Sequence, residues 1–208
     1  MVRALARGRP PAEDVEPVDA PTVFAVDPGG TTGWSVISVH PEALLRPDIP
    51  ILKNIEHWGH GQLTGPENEQ CAEILGLIDS WPGCCVLFED FIVRSAMPGR
   101  EVLSPVRITA KVQFGLYLAA TEVPFFTQLP SEAMNVATDK RLKEWGFYQR
   151  EGGLGHARDA DRHALTWLRK AKSKGWMRAQ CWPHLYGVDG VYGGSVTEVE
   201  PDEDEEIS

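Results

Sequence analysis

The stretch FAVDPGGTTGWSVISV, residues 24–39, constrains the fold more than any other part of this chain. Two runs of β-branched and aromatic residues flank a Pro-Gly-Gly turn, which predicts strands over 22–28 and 32–39 joined as a hairpin. The first run ends on Asp27. An acid at a strand end beside glycines reads as a turn residue, a metal ligand or part of a phosphate grip. Gly29, Gly30 and Gly33 remove side chains where backbone must pass close to whatever Asp27 serves.

The rest of the chain extends that hairpin into an α/β order. HWGHGQL at 57–63 reads as a weaker third strand, and ENEQCAEILGLIDS at 67–80 has helical spacing. CCVLFEDFIV at 84–93 is apolar enough for a buried central strand. A basic loop over 94–103 leads to Ser104-Pro105, an N-cap followed by proline at the first helical position. VPFFTQL is the next strand, one Pro-initiated helix runs to Gly146, and a last helix covers HARDADRHALTWLRKAK. Hairpin-linked strands followed by alternating elements predict a mixed sheet with helices on both faces. The expected divisions are a flexible arm at 1–21, the main domain at 22–176, a covering segment at 177–195 and an acidic tail at 196–208.

Bulk charge argues against a polyanionic partner, since the net charge is −10. Its distribution reverses that argument: residues 1–90 carry a net −9, residues 91–180 a net +7 and residues 181–208 a net −8. A basic block within an acidic chain is compatible with a phosphate-binding face or with a merely solvated surface, because binding follows local charge. No apolar run approaches the roughly 20 residues that cross a bilayer, so no membrane partner is expected. Cys71, Cys84, Cys85 and Cys181 show no CxxC spacing and read as buried, reduced thiols of a cytoplasmic protein.

Three acidic positions fall at comparable places: Asp27 at the end of the first strand, Glu89 in the fourth, and the helix start with His156, Asp159 and Asp161. Asp27 also suits a turn, Glu89 a buried ion pair with Arg94, and the His156 group an ordinary polar helix start. In a mixed sheet, strands one and four are able to neighbour each other and bring Asp27 beside Glu89. Carboxylates that close repel unless a cation lies between them, and a hard divalent ion with oxygen ligands resolves the conflict. Asp159 and Asp161 stand about 200° apart around a helix, so both cannot face one site. His156 and Asp159 share a face.

VDPGGTTGW, VLFEDF and HARDADRHAL, in that order and spacing, resemble the RuvC-type Holliday junction resolvases of the RNase H-like nucleases, particularly their bacteriophage relatives. The likeness covers roughly residues 22–172 and includes the helix-strand-helix segment from Ser104 to Ala137. It implies a mixed five-stranded sheet, with strands 1–3 antiparallel and strands 4 and 5 parallel. It implies Asp27 and Glu89 as metal-binding carboxylates, with His156 and Asp159 matching an H-x-x-D pair. Asp161 is kept in reserve as the alternative acid. Two Mg²⁺ (or Mn²⁺) ions per site would serve hydrolysis of a DNA phosphodiester, leaving a 5′-phosphate and a 3′-hydroxyl. Asp27 would bridge the ions, Glu89 and Asp159 hold one each, and His156 ligate one or orient the attacking water. A cytoplasmic location, that of the host for a phage protein, follows from the same likeness.

The expected partner is branched DNA, held by Thr31, Thr32, Arg94, Arg100, Arg107, Lys111, Lys140, Arg141 and Lys143 through its phosphates. A twofold-symmetric substrate calls for a homodimer. The helix from Ser104 is apolar on two sides: Val106, Ala110, Phe114 and Tyr117 on one, Ile108, Val112, Leu116 and Ala119 on the other. One side would cover the sheet, and either a partner copy or the C-terminal segment would cover the other. Other readings are a nuclease of this fold acting on RNA or replication forks, and an inactive junction-binding protein. A sugar-kinase or actin-like ATPase shares a DxGGT turn but needs a second domain, so no nucleotide cofactor is expected.

Overall fold

The computed structural model describes residues 20–91, 103–148 and 154–193. Residues 1–19 of the expected arm, the basic loop with Arg94 and Arg100, and the tail over 196–208 lie outside the described residues, while Ala20 and Pro21, the last two of that arm, are buried.

Strand β1 (Thr22–Asp27) is buried along its whole length because it runs through the middle of the sheet. It pairs antiparallel with β2 (Thr31–Val39), which pairs antiparallel with β3 (Ile55–Thr64). On its other side β1 pairs parallel with β4 (Cys85–Glu89), and β4 pairs parallel with β5 (Phe125–Gln128). The order is β3-β2-β1-β4-β5, the mixed five-stranded sheet expected from the sequence.

Alternation of side chains along these strands builds two cores. Phe24, Val26, Trp34, Val36, Val86 and Phe88 face a layer formed by α2 (Glu67–Asp79) and α3 (Ser104–Leu118). Val23, Ala25, Ile37, Cys85 and Leu87 face the opposite layer, built on α6 (Gly155–Ser173). That layer also holds α1 (Glu42–Leu45), a 3-10 turn (Ile51–Lys53), α5 (Asp139–Trp145), α7 (Gly175–Cys181) and α8 (Pro183–Tyr186). Trp182 Nε1 donates to Thr22 O at 3.0 Å and Tyr186 Oη to Pro41 O at 3.0 Å, tying the C-terminal helices to that face.

Three local readings change. The single helix expected from Pro130 to Gly146 is two, α4 (Pro130–Val136) and α5, because Thr138 restarts the helix by accepting from Arg141 N at 3.3 Å. Ser104 lies inside α3 instead of capping it, and its hydroxyl donates to Glu67 Oε1 at 3.0 Å. Residues 42–45 and 51–53 are helical turns that carry no strong periodicity of their own. The four cysteines are free and buried. Among the described residues, no helix is long and apolar enough to cross a membrane.

Candidate active site

The strand register creates the acid pair. Residues 23, 25 and 27 of β1 and 85, 87 and 89 of β4 share the α6 face by alternation. Val26 pairs with Phe88 in the parallel register, so one step further Asp27 and Glu89 leave the sheet at adjacent strand ends. Carboxyl ends of parallel strands are where open α/β sheets present their ligand crevices.

Helix α6 completes the group because Gly33 lets it approach. Gly33 pairs with Asp27 across β1 and β2. A Cβ there would stand 2.1 Å from the carbonyl carbon of His156 and 2.5 Å from Ala157 N, so any side chain would push the first turn of α6 away. Gln62, from β3, fastens the same turn by accepting from His156 N at 2.8 Å and Ala157 N at 3.3 Å. His156 Nδ1 then lies 2.7 Å from Asp27 Oδ2.

Each acid meets a basic partner from α6. Asp27 has His156, Glu89 Oε2 lies 2.7 Å from His163 Nε2, and Asp159 Oδ1 accepts from Arg162 Nε at 2.9 Å. Arg162 is itself fixed by Ala137 O at 2.6 Å and by Asp139. Burial raises the Asp27 carboxyl above its usual range; the His156 hydrogen bond opposes this, and the charges of Glu89 and Asp159 add to the rise. His156 moves up as well, chiefly through its bond to Asp27, with burial opposing.

These shifts set a pH dependence. His156 has its folded pKa above the ordinary 6.5, so its contribution to stability is complete below pH 6.5 and is lost as pH rises through the raised value. Asp27 acts in the same direction from its ordinary 3.8 upward, in a lower window. In metal-free buffer the unfolding temperature therefore falls as pH rises above 6.5, and His156→Gln flattens that part of the profile. A profile of the same slope in both proteins above this pH would contradict the coupling.

The donor set suits a hard divalent cation by its chemistry: three carboxylates and one imidazole, with Asp27 destabilised as an anion by the other two acids. Among the described residues, no three His, Cys, Asp or Glu side chains are arranged to grip an ion as they stand. Asp27 and Asp159 are hydrogen-bonded instead to His156 and Arg162. The residues that would hold an ion are Asp27, Glu89, Asp159 and His156.

Asp161 is a correction. It lies on the far side of α6, fully buried, where Oδ1 accepts from Ser35 Oγ and Trp58 Nε1 at 2.8 Å each and Oδ2 lies 2.7 Å from His60 Nδ1. Its burial raises its pKa against those three bonds, and it docks α6 onto β2 and β3. Thr32 is likewise turned inward: its hydroxyl donates to Gly29 O at 3.1 Å and braces the turn, so it does not face a phosphate. Arg107 and Lys111 gather on Glu67 of α2, whose carboxyl falls to about 2. Their charges are accounted for by a helix–helix contact.

Lys140, Arg141 and Lys143 lie on α5, beside Asp139 and its bond to Arg162. Lys140 extends into solvent 4.0 Å from Glu144, Arg141 donates to Val136 O, and Lys143 stands 4.5 Å over the Tyr148 ring. Thr31 is half-buried at the turn. Residues missed in the sequence are Gln62, Gln128, Arg162 and His163. Two of them left a trace there: Arg162 at three residues from Asp159, and His163 at seven from His156 on the same helical face.

Fold and site together define an RNase H-like α/β protein whose acids gather where β1 and β4 end. Solved structures with this architecture include RuvC of Thermus thermophilus in complex with a Holliday junction substrate, with a TM-score of 0.51, 18% identity and coverage of 74% of this chain and 96% of that one. RuvC of Thermus thermophilus alone gives 0.50 and 18%, covering 73% and 96%. The yeast mitochondrial Holliday junction resolvase gives 0.50 and 15%, covering 78% and 84%. The chain has the fold of the RuvC-type resolvases. No protein-family model matches the sequence, and no curated protein sequence is detectably similar to it.

Proposed function

We propose that this protein is a divalent-cation-dependent, structure-selective DNA endonuclease that resolves four-way junctions. The observation that carries the reading is the convergence of Asp27, Glu89, His156 and Asp159, from three separate elements, within mutual electrostatic reach on a resolvase fold. Bound Mg²⁺ or Mn²⁺ would supply Lewis acidity at the scissile phosphate and an activated water. Asp27, which feels the charges of both other acids, would hold the ions together with Glu89 and Asp159. His156 would orient the attacking water, its Nδ1 being fixed by Asp27. The products would carry a 5′-phosphate and a 3′-hydroxyl. Lys140, Arg141 and Lys143 would follow the phosphate backbone on the α6 side, so binding weakens steeply with salt.

Two coordinated cuts in a twofold-symmetric junction require two copies. Helix α3 supplies the surface: Ile108, Val112 and Leu116 are buried on the sheet, while Val106, Phe114, Tyr117 and Leu118 are exposed, Phe114 by 60% and Tyr117 by 78%. The C-terminal helices pack on the opposite face of the sheet and do not cover this stripe. A monomer by light scattering at micromolar concentration would remove the dimer from the proposal.

The test is a cleavage panel of four-way junction, fork, flap and RNA:DNA hybrid with Mg²⁺ or Mn²⁺. Symmetric cuts in the four-way junction, in excess over the other substrates, are expected. Preference for the hybrid or the fork would reassign the substrate, and binding without cleavage would make the protein a junction binder.

A further inference from the structure

Glu89 reaches the site as the last residue of β4, where a long carboxylate side chain has several rotamers open to it. One contact selects among them. His163 Nε2 lies 2.7 Å from Glu89 Oε2, and the opposite ring nitrogen, Nδ1, lies 2.8 Å from Gln128 Oε1. Gln128 is the residue that pairs with Glu89 in the parallel β4–β5 register. The three side chains therefore close a loop: two neighbouring strand ends and one imidazole from α6 bridging them. His163 is 1% exposed and Gln128 is 2% exposed, so the loop is set in protein and not in solvent.

A buried imidazole is costly unless both nitrogens find partners, and an apolar residue would fill that place on α6 more cheaply. Its neighbours on that face are Ala160, Ala164 and Trp167, all buried. Spending a polar ring there fixes Glu89 in one orientation, with Oε2 held by His163 and Oε1 outside that contact.

We infer that His163 is the positioning residue for Glu89, holding its carboxylate ready for a divalent cation through the bridge to Gln128. This rests on the nuclease reading above, in which Glu89 is an ion-holding carboxylate. The role of the ring is to remove rotamer freedom before the ion arrives, so that binding the ion does not have to order the side chain.

The test compares His163→Gln, which keeps a polar nitrogen at the reach of Nε2, with His163→Asn, which reaches only as far as Nδ1. Two quantities are measured on the full chain: the Mg²⁺ concentration for half-maximal junction cleavage, and the Mg²⁺ concentration that half-raises the unfolding temperature without DNA. His163→Asn is expected to move both upward by about 10–100-fold, the usual cost of losing a partner behind a metal ligand. Junction binding in metal-free buffer stays at the wild-type level, and His163→Gln recovers most of the Mg²⁺ response. Gln128→Ala, which loosens the bridge without altering α6, shifts the Mg²⁺ response in the same direction and decides the matter if His163→Asn does not fold. Unchanged Mg²⁺ dependence in these variants, even with lowered stability, overturns the inference. A wild-type protein stabilised by Mg²⁺ that cuts none of the substrates overturns the nuclease reading alone, and one with no Mg²⁺ response overturns both.

Discussion

Asp27→Asn is expected to abolish junction cleavage and, at the same time, to raise the unfolding temperature of the metal-free protein. The two effects have one cause. Asp27 is buried beside Glu89 and Asp159, and its pKa is raised, so the folded protein disfavours the charge it carries above the ordinary carboxylate range. Asparagine removes that charge while keeping an oxygen for His156 Nδ1, 2.7 Å away in the wild type. On the proposed function the same substitution removes a carboxylate that would hold an ion, and the several kcal/mol of transition-state stabilisation lost would correspond to roughly 10³-fold or more in rate. Cleavage assays with Mg²⁺ and thermal unfolding in chelator, run on one preparation, measure both. Retained cleavage would dismiss Asp27 from the chemistry, and lowered stability would show that its charge is a net structural asset.

The second large effect falls outside the proposed catalytic group. Asp161→Ala removes the acceptor of Ser35 Oγ and Trp58 Nε1, and the carboxylate beside His60 Nδ1, in the middle of the protein. Breaking a buried charged network of this kind costs about 3–5 kcal/mol. For a chain of this size that lowers the unfolding temperature by roughly 6–20 °C. Asp161→Asn costs little, since it removes a charge that burial disfavours while Oδ1 still accepts from Ser35 and Trp58 and the amide nitrogen faces His60, whose other tautomer accepts. Thermal unfolding of both variants is the measurement. If Asp161→Ala retained wild-type stability and lost only cleavage, Asp161 would return to the catalytic group and Asp159 would leave it.

The contrast between Asp159 and Asp161 shows where sequence reading stops. Helical geometry alone separates the two acids onto opposite sides of α6. It does not say which side meets the strand ends, because that depends on how α6 crosses the sheet. The crossing is set by the close approach at Gly33 and by the Asp161 network with β2 and β3. A hydrophobic arc containing Ala160, Ala164 and Trp167 draws Asp161 toward the core as readily as it draws His163, and both are buried.

Helix α3 offers a parallel case. Its two apolar sides are plain in the sequence, but only packing decides that Ile108, Val112 and Leu116 meet the sheet while Phe114 and Tyr117 face outward. The basic residues divide in the same way. Arg107 and Lys111 look like those of α5 in the chain, and Glu67, some 40 residues away in sequence, separates them in space.

Local periodicity was enough for the mixed order of strands and helices and for the end of β1 at Asp27, because alternation and helical pitch are properties of neighbouring residues; it carried β4 on to residue 93, whereas the strand ends at Glu89. The pairing of each acid with His156, His163 or Arg162, the bridge through Gln128 and the inward turn of Asp161 and Thr32 belong to the tertiary structure alone. They depend on which strand lies beside which and on how α6 is seated across them, and those distances are set between residues far apart in the chain.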